Sequence, residues 1–121
     1  MKQKFFDLAK KMSRHSTHRQ FRIGCVIVKG NNIISLGFNQ KKTHSKAPGP
    51  YKQLHAEIAA LIAGERKDLN KCHAYTFREH KNGTLAMSKP CESCQMALQK
   101  AGITAIFYTD ETSYKELALN D

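Results

Sequence analysis

The chain has 121 residues, enough for one sheet covered by helices and too few for two hydrophobic cores, so residues 1–121 are read as a single domain. It has no apolar run long enough to cross a membrane, and four cysteines in a lysine-rich chain without a signal-like leader argue for a reducing, cytoplasmic setting rather than a disulfide framework. The formal net charge of +10 is uneven: residues 1–52 carry twelve Lys or Arg against one acid, Asp7, while the rest carries eight basic against nine acidic residues.

Phe5, Leu8, Ala9 and Met12 recur at helical spacing among lysines, which predicts an amphipathic helix near residues 3–15. Arg22 to Lys29 and Ile33 to Asn39 are strand-like runs around the turn residues Gly30-Asn31-Asn32, which predicts a hairpin. Residues 40–53 hold two prolines and no periodicity and read as a basic loop. Leu54 to Ala63 is rich in helix formers and is stopped by Gly64. His73 to Arg78 reads as a third strand, Asn82-Gly83 as a turn, and Thr84 to Met87 as a short return strand. Pro90 opens a helix that Gly102 closes, and Ile103 to Tyr108 is a strand entered through that helix, hence parallel to its neighbour. A last short helix is expected over Glu111 to Leu119. Cys25 and Cys72 adjoin or lie within apolar runs and read as small core side chains.

Two segments carry chemistry: His55-Ala56-Glu57 at the start of one helix and Pro90-Cys91-Glu92-Ser93-Cys94 at the start of another. A structural zinc site closes its shell with four protein ligands, whereas a catalytic one uses three and keeps a position for water. His55, Cys91 and Cys94 supply three. Positions two apart in a regular helix do not share a face, so His55 and Glu57 reach one centre only if their motif sits at the helix's beginning. Both cysteines fall in a first helical turn, where unpaired N–H groups and the dipole favour thiolate. Glu57 is then placed as a proton carrier beside a zinc-bound water. The other histidines, His15 with His18 or His44 with His73 or His80, lack metal-ligand spacing and read as surface or core residues.

The H-x-E and P-C-x-x-C pair resembles the signature of zinc nucleobase deaminases. From about Phe21 to Tyr108 the chain is similar, in motifs and element order, to the cytidine and deoxycytidylate deaminase superfamily, in the branch whose zinc ligand is histidine. The resemblance implies an α/β, cytidine deaminase-like fold: a three-layer α-β-α sandwich whose mixed sheet has about five strands, with both zinc-bearing helices on one side. It also implies Zn2+ as cofactor, His55, Cys91 and Cys94 as ligands, and Glu57 as catalytic acid and base. Gly37-Phe38-Asn39 matches a segment that binds the substrate's sugar in similar enzymes, with a strand-terminating turn cap as the plain alternative for Asn39. Arg22 is a candidate for orienting substrate or its phosphate, or a solvated strand-edge residue. Tyr51, with His44 and Arg78, is a candidate for flanking the pocket by stacking or phosphate contact.

The substrate expected is a cytosine-type nucleotide such as deoxycytidylate. The alternatives are cytosine in single-stranded DNA or RNA, then tRNA adenosine, and, from another class, a noncatalytic zinc-stabilised binding module. The basic first half suits an anionic partner, nucleotide or single-stranded nucleic acid, while the absence of tryptophan disfavours a long stacking track. Ser88-Lys89 stands where tRNA adenosine deaminases carry an acidic lead-in, which tells against adenosine. Similar enzymes often assemble, so a homo-oligomer is a further expectation, with the first helix as interface or as cover for the sheet.

Overall fold

A computed structural model describes residues 1–17, 21–41 and 54–119. The elements are α1 (Gln3–Ser13), β1 (Ile23–Lys29), β2 (Asn32–Phe38), α2 (Ala56–Ala63), β3 (His73–Arg78), α3 (Glu92–Ala101), β4 (Ala105–Thr109) and β5 (Tyr114–Ala118). The five strands form one mixed sheet in the order β2-β1-β3-β4-β5. β1 is antiparallel to both β2 and β3, β3 and β4 are parallel as the intervening helix requires, and β5 returns antiparallel to β4.

β1 is apolar from Ile23 to Val28 because both of its faces are covered. Cys25 and Ile27 face Ala56, Ala60 and Leu98 on the α2/α3 side, whereas Val26 and Val28 face Phe5, Phe6 and Ala9 of α1. This is the expected three-layer α-β-α sandwich, and α1 serves as cover for the sheet. Its apolar stripe meets an aromatic layer in which Tyr75 stacks on Phe107 at 4.7 Å and meets Phe6 edge-on at 5.0 Å. Cys25 and Cys72 are both buried, as core residues. Gly102, with φ of 105°, adopts the left-handed conformation that ends α3 and turns the chain into β4.

Two expectations are corrected. The segment expected as a last helix, Glu111 to Leu119, is a tight turn followed by strand β5. Lys115, Glu116, Leu117 and Ala118 are good helix formers, but tertiary pairing overrides propensity. Tyr114 packs on Phe6 at 4.3 Å in the α1 layer, while Leu117 packs in the α2/α3 layer. In a helix, residues three apart would share one face; only a strand sends them to opposite faces. The return strand expected over Thr84 to Met87 is reduced to one bridge, Glu79 with Leu85. Ala86 N still donates to Arg78 O of β3 at 3.0 Å, but from there the segment turns to β4: Ala86 O accepts from Thr109 Oγ1 at 2.7 Å, and Ser88 N donates to Thr109 O at 2.8 Å. Among the described residues no helix is long and apolar enough to cross a membrane.

Candidate metal centre and active site

His55 and Cys91 occupy equivalent positions, each the extended residue at which a helix begins. His55 has φ −75° and ψ 150°, and its carbonyl accepts from Ala59 N at 2.9 Å. Cys91 has φ −63° and ψ 164°, and its carbonyl accepts from Gln95 N at 2.9 Å. A residue in this half-in position points its side chain off the end of the helix. Cys94 follows one turn into α3, so two helix ends aimed at each other bring three donors together.

His55 Nδ1 lies 3.3 Å from Cys94 Sγ and 3.9 Å from Cys91 Sγ, and all three donor atoms are within 4.8 Å of one another. Zn–S near 2.3 Å and Zn–N near 2.05 Å at a tetrahedral angle require N···S of about 3.6 Å, which the two distances bracket. Two thiols and an imidazole are also the donor chemistry zinc prefers, so these residues fit a Zn2+ site. Among the described residues no other group of three or more His, Cys, Asp or Glu converges in this way. His73 packs edge-on against Phe107 at 5.5 Å, and His80 pairs with Glu111 at 2.9 Å.

Glu57 is one residue into α2 and only 3% exposed. Burial raises its carboxyl above the usual range, partly offset by hydrogen bonds from Cys94 and from its own backbone. A buried carboxyl that binds a proton readily, next to a metal-fit cluster, suits acid–base work. Burial lowers His55, which keeps the imidazole neutral and able to ligate. Burial, then the nearby Glu57 and Cys91, push the Cys94 thiol far up; a divalent cation reverses that preference, since a coordinating thiol is deprotonated outright.

Beside these groups opens a cavity of about 220 Å³ walled by Phe21, Ile23, Asn39, Leu54, His55, Ala56 and Glu57. Asn39, expected at the site, is in its wall. Its amide also pins that wall: Nδ2 donates to Phe21 O, and Oδ1 accepts from Ile23 N at 2.8 Å. Arg22 lies between two wall residues but is itself exposed. Tyr51 and His44 lie outside the described residues.

Sequence reasoning missed Phe21 as a wall residue, although an aromatic side chain leading into a strand beside a polar motif was a signal. It also missed a buried hydroxyl cluster. Ser88, two residues before Pro90, joins Thr76 of β3 and Thr109 of β4: Thr109 N donates to Ser88 Oγ at 2.7 Å, and Thr76 Oγ1 donates to Ser88 O at 3.0 Å. Gln95 Nε2 donates to Pro90 O at 2.8 Å from the other side. Cys91, itself exposed, is therefore positioned by anchors on both flanks.

The family model described as the cytidine and deoxycytidylate deaminase zinc-binding region matches residues 1–110. An "Uncharacterized deaminase in luxG 3'region" of Aliivibrio fischeri is 26% identical over 117 residues, covering 90% of this chain and 72% of that protein. The fold is similar to the dCMP deaminase of cyanophage S-TIM5 in apo form, with a TM-score of 0.70, 22% identity, and coverage of 93% of this chain and 87% of that one. A structure of that phage enzyme in complex with dCMP and dUMP gives a TM-score of 0.69 at 20% identity, covering 89% and 82%. Cytidine deaminase from Burkholderia pseudomallei gives 0.73 at 14% identity, covering 98% and 92%.

Proposed function

Because the chain belongs to the cytidine and deoxycytidylate deaminase family, we propose that it hydrolyses the amino group of a cytosine-type nucleotide, dCMP-like or CMP-like, to give the uracil analogue and ammonia. The observation that carries this reading is the meeting of His55, Cys91 and Cys94 beside the buried carboxyl of Glu57. His55 Nδ1, Cys91 Sγ and Cys94 Sγ are the zinc ligands in this reading. Zinc, when bound, supplies the Lewis acidity that makes water a competent nucleophile near neutral pH.

Glu57 takes the proton released as water oxygen bonds to the ring carbon that bears the amino group, and gives it to the adjacent ring nitrogen. It then carries the water's second proton to the amino group, which leaves as ammonia when the carbon–nitrogen bond breaks. Burial suits the residue to both halves, because a carboxyl with a raised pKa accepts and returns a proton at small cost. Ile23, Leu54 and Ala56 form an apolar wall that excludes competing water from the ring. Asn39 keeps one amide hydrogen and one lone pair beyond its bonds to Phe21 and Ile23, and these are assigned to the sugar. Arg22 and Tyr51 are assigned to the rest of the substrate.

A second reading, the same chemistry on cytosine in single-stranded DNA or RNA, is favoured by the twelve-to-one basic excess of residues 1–52. Both are tested by mass-spectrometric detection of deamination by zinc-loaded protein on dCMP, CMP, deoxycytidine, single-stranded oligonucleotides and tRNA, with Glu57→Gln as control. The nucleotide reading expects turnover of mononucleotides, abolished in Glu57→Gln while zinc is retained. Turnover confined to polymers selects the second reading. Parent and variant alike in every assay would refute both.

A further inference from the structure

We propose that Arg78 is the phosphate-reading residue of this site, the group by which it prefers a phosphorylated cytosine compound over the bare nucleoside; the inference rests on the deaminase reading above. Arg78 is the last residue of β3 and is directly opposite Ile23 of β1, so both side chains leave the sheet on the same face. Ile23 is a wall of the cavity, and that face is the one covered by α2 and α3. The guanidinium carbon sits 4.6 Å from the centre of the Phe21 ring, and Phe21 is another wall. A second hold comes from Met87 O, which accepts from Nη1 at 3.2 Å. The cation is thus fixed at the lip of the cavity by a ring and a carbonyl.

What Arg78 lacks is an anion. Among the described residues no carboxylate pairs with it, and its buried Nε–H has no acceptor. The adjacent Glu79 turns the other way, to Lys10 at 3.9 Å and Arg14 at 3.7 Å. A partly buried guanidinium ordinarily carries a bidentate carboxylate or phosphate, and a preorganised one without a partner in the protein is matched to a partner from outside. The cavity's size points the same way. About 220 Å³ is below the range of pockets that enclose a whole drug-sized ligand. It accommodates a heterocycle beside Glu57 and leaves sugar and phosphate at the mouth, where Arg78 stands. The phosphate recognised is a monoester or a diester, from a mononucleotide or from a single strand.

The test compares parent, Arg78→Met, Arg78→Lys and the remote cation variant Lys100→Met, all zinc-loaded, by kcat/KM on dCMP, deoxycytidine and a single-stranded oligonucleotide with one cytosine. The same ligands are titrated by calorimetry into these chains carrying Glu57→Gln. Arg78→Met is expected to lose about 10- to 100-fold on the phosphorylated ligand and less than about 2-fold on deoxycytidine. Arg78→Lys recovers part of that loss, and Lys100→Met keeps the parental ratio. Loss confined to dCMP assigns the monoester, and loss confined to the oligonucleotide the diester. Equal loss on deoxycytidine overturns the proposal, because Arg78 would then only be holding Phe21; so does a parent that does not distinguish dCMP or oligonucleotide from nucleoside. Absence of any Glu57-dependent turnover instead overturns the deaminase reading, and calorimetry still decides whether Arg78 reads phosphate.

Discussion

Gly37→Ala tests whether the position of α2 sets the metal site. Gly37 is paired with Cys25, one pair in from the end of the β1/β2 ladder, and α2 crosses directly over it. An ideal Cβ built there meets Ala60 N at 2.4 Å and Ala56 O at 2.5 Å, whereas ordinary contact begins near 3.4 Å. Both obstacles are helix backbone, which has no side-chain end to swing aside, so α2 must withdraw by about 1 Å. Overpacking of this kind costs about 1–3 kcal/mol, or roughly 5–15 °C of melting temperature for a domain of this size. The helix carries His55 and Glu57 with it. A 1 Å displacement is large against the 0.3 Å by which the His55–Cys94 and His55–Cys91 distances of 3.3 and 3.9 Å depart from the tetrahedral value. Zinc affinity, measured by chelator competition at a temperature where the metal-free variant is still folded, is expected to fall about 10- to 100-fold. A variant with parental melting temperature and parental affinity would refute the argument that close packing of β2 against α2 places the ligand.

Cys91→Ser removes a thiolate donor, so zinc content should fall well below one per chain. A chelator, which in the parent removes about 4 kcal/mol of stabilisation when zinc stands at a thousand times its Kd, should hardly move the variant's melting point. A zinc-replete, chelator-sensitive Cys91→Ser protein would contradict the ligand assignment. Thr109→Val keeps the buried shape but removes the hydroxyl that joins Ala86 O and Ser88 Oγ at 2.7 and 2.9 Å, costing about 1–3 kcal/mol in thermal or denaturant unfolding. Its zinc affinity is expected to fall while Thr109→Ser retains it, and equal affinity in both would separate the hydroxyl cluster from the metal site. Asp110 accepts from Thr112 N and Ser113 N, both at 2.8 Å, and these bonds hold its pKa below the ordinary aspartate value. Its stabilisation is therefore complete above the unfolded pKa, about 4, and is lost as pH falls through the depressed folded value. Asp110→Asn keeps an acceptor but has no proton to take up, so its acid limb of stability should be flatter than the parent's; superimposable limbs would exclude a role for this turn.

What could be read from the sequence is what is local. Cys91 and Cys94 stand out because their spacing falls within one helical turn, and His55 because Glu57 follows it two residues on. The requirement that His55 begin its helix followed from the two-residue step to Glu57, and the structure has α2 start at the next residue. The paired faces of β1 were legible as one apolar run. β5 was not, because Tyr114-Lys115-Glu116-Leu117-Ala118 is helical by local preference and becomes a strand only when Phe6 and the free side of β4 are in place. The anchors of Cys91 were equally hidden, since Thr76, Ser88 and Thr109 are separated by 12 and 21 residues and none is distinctive alone.

Asn39 has a structural role at the end of its strand, beside the substrate contact proposed for it. It was singled out for substrate contact, yet its amide ties the end of β2 to Phe21 and Ile23, 18 and 16 residues earlier. Those two are cavity walls, and Arg78 rests on one of them and faces across from the other. The same amide therefore fixes the cavity wall and, through Phe21, the placement of the cation at its lip. A substitution at Asn39 should thus impair recognition of base and phosphate together, whereas one at Arg78 should impair phosphate alone. That difference in pattern, read as binding of deoxycytidine against dCMP, separates a residue that builds the site from one that reads the substrate.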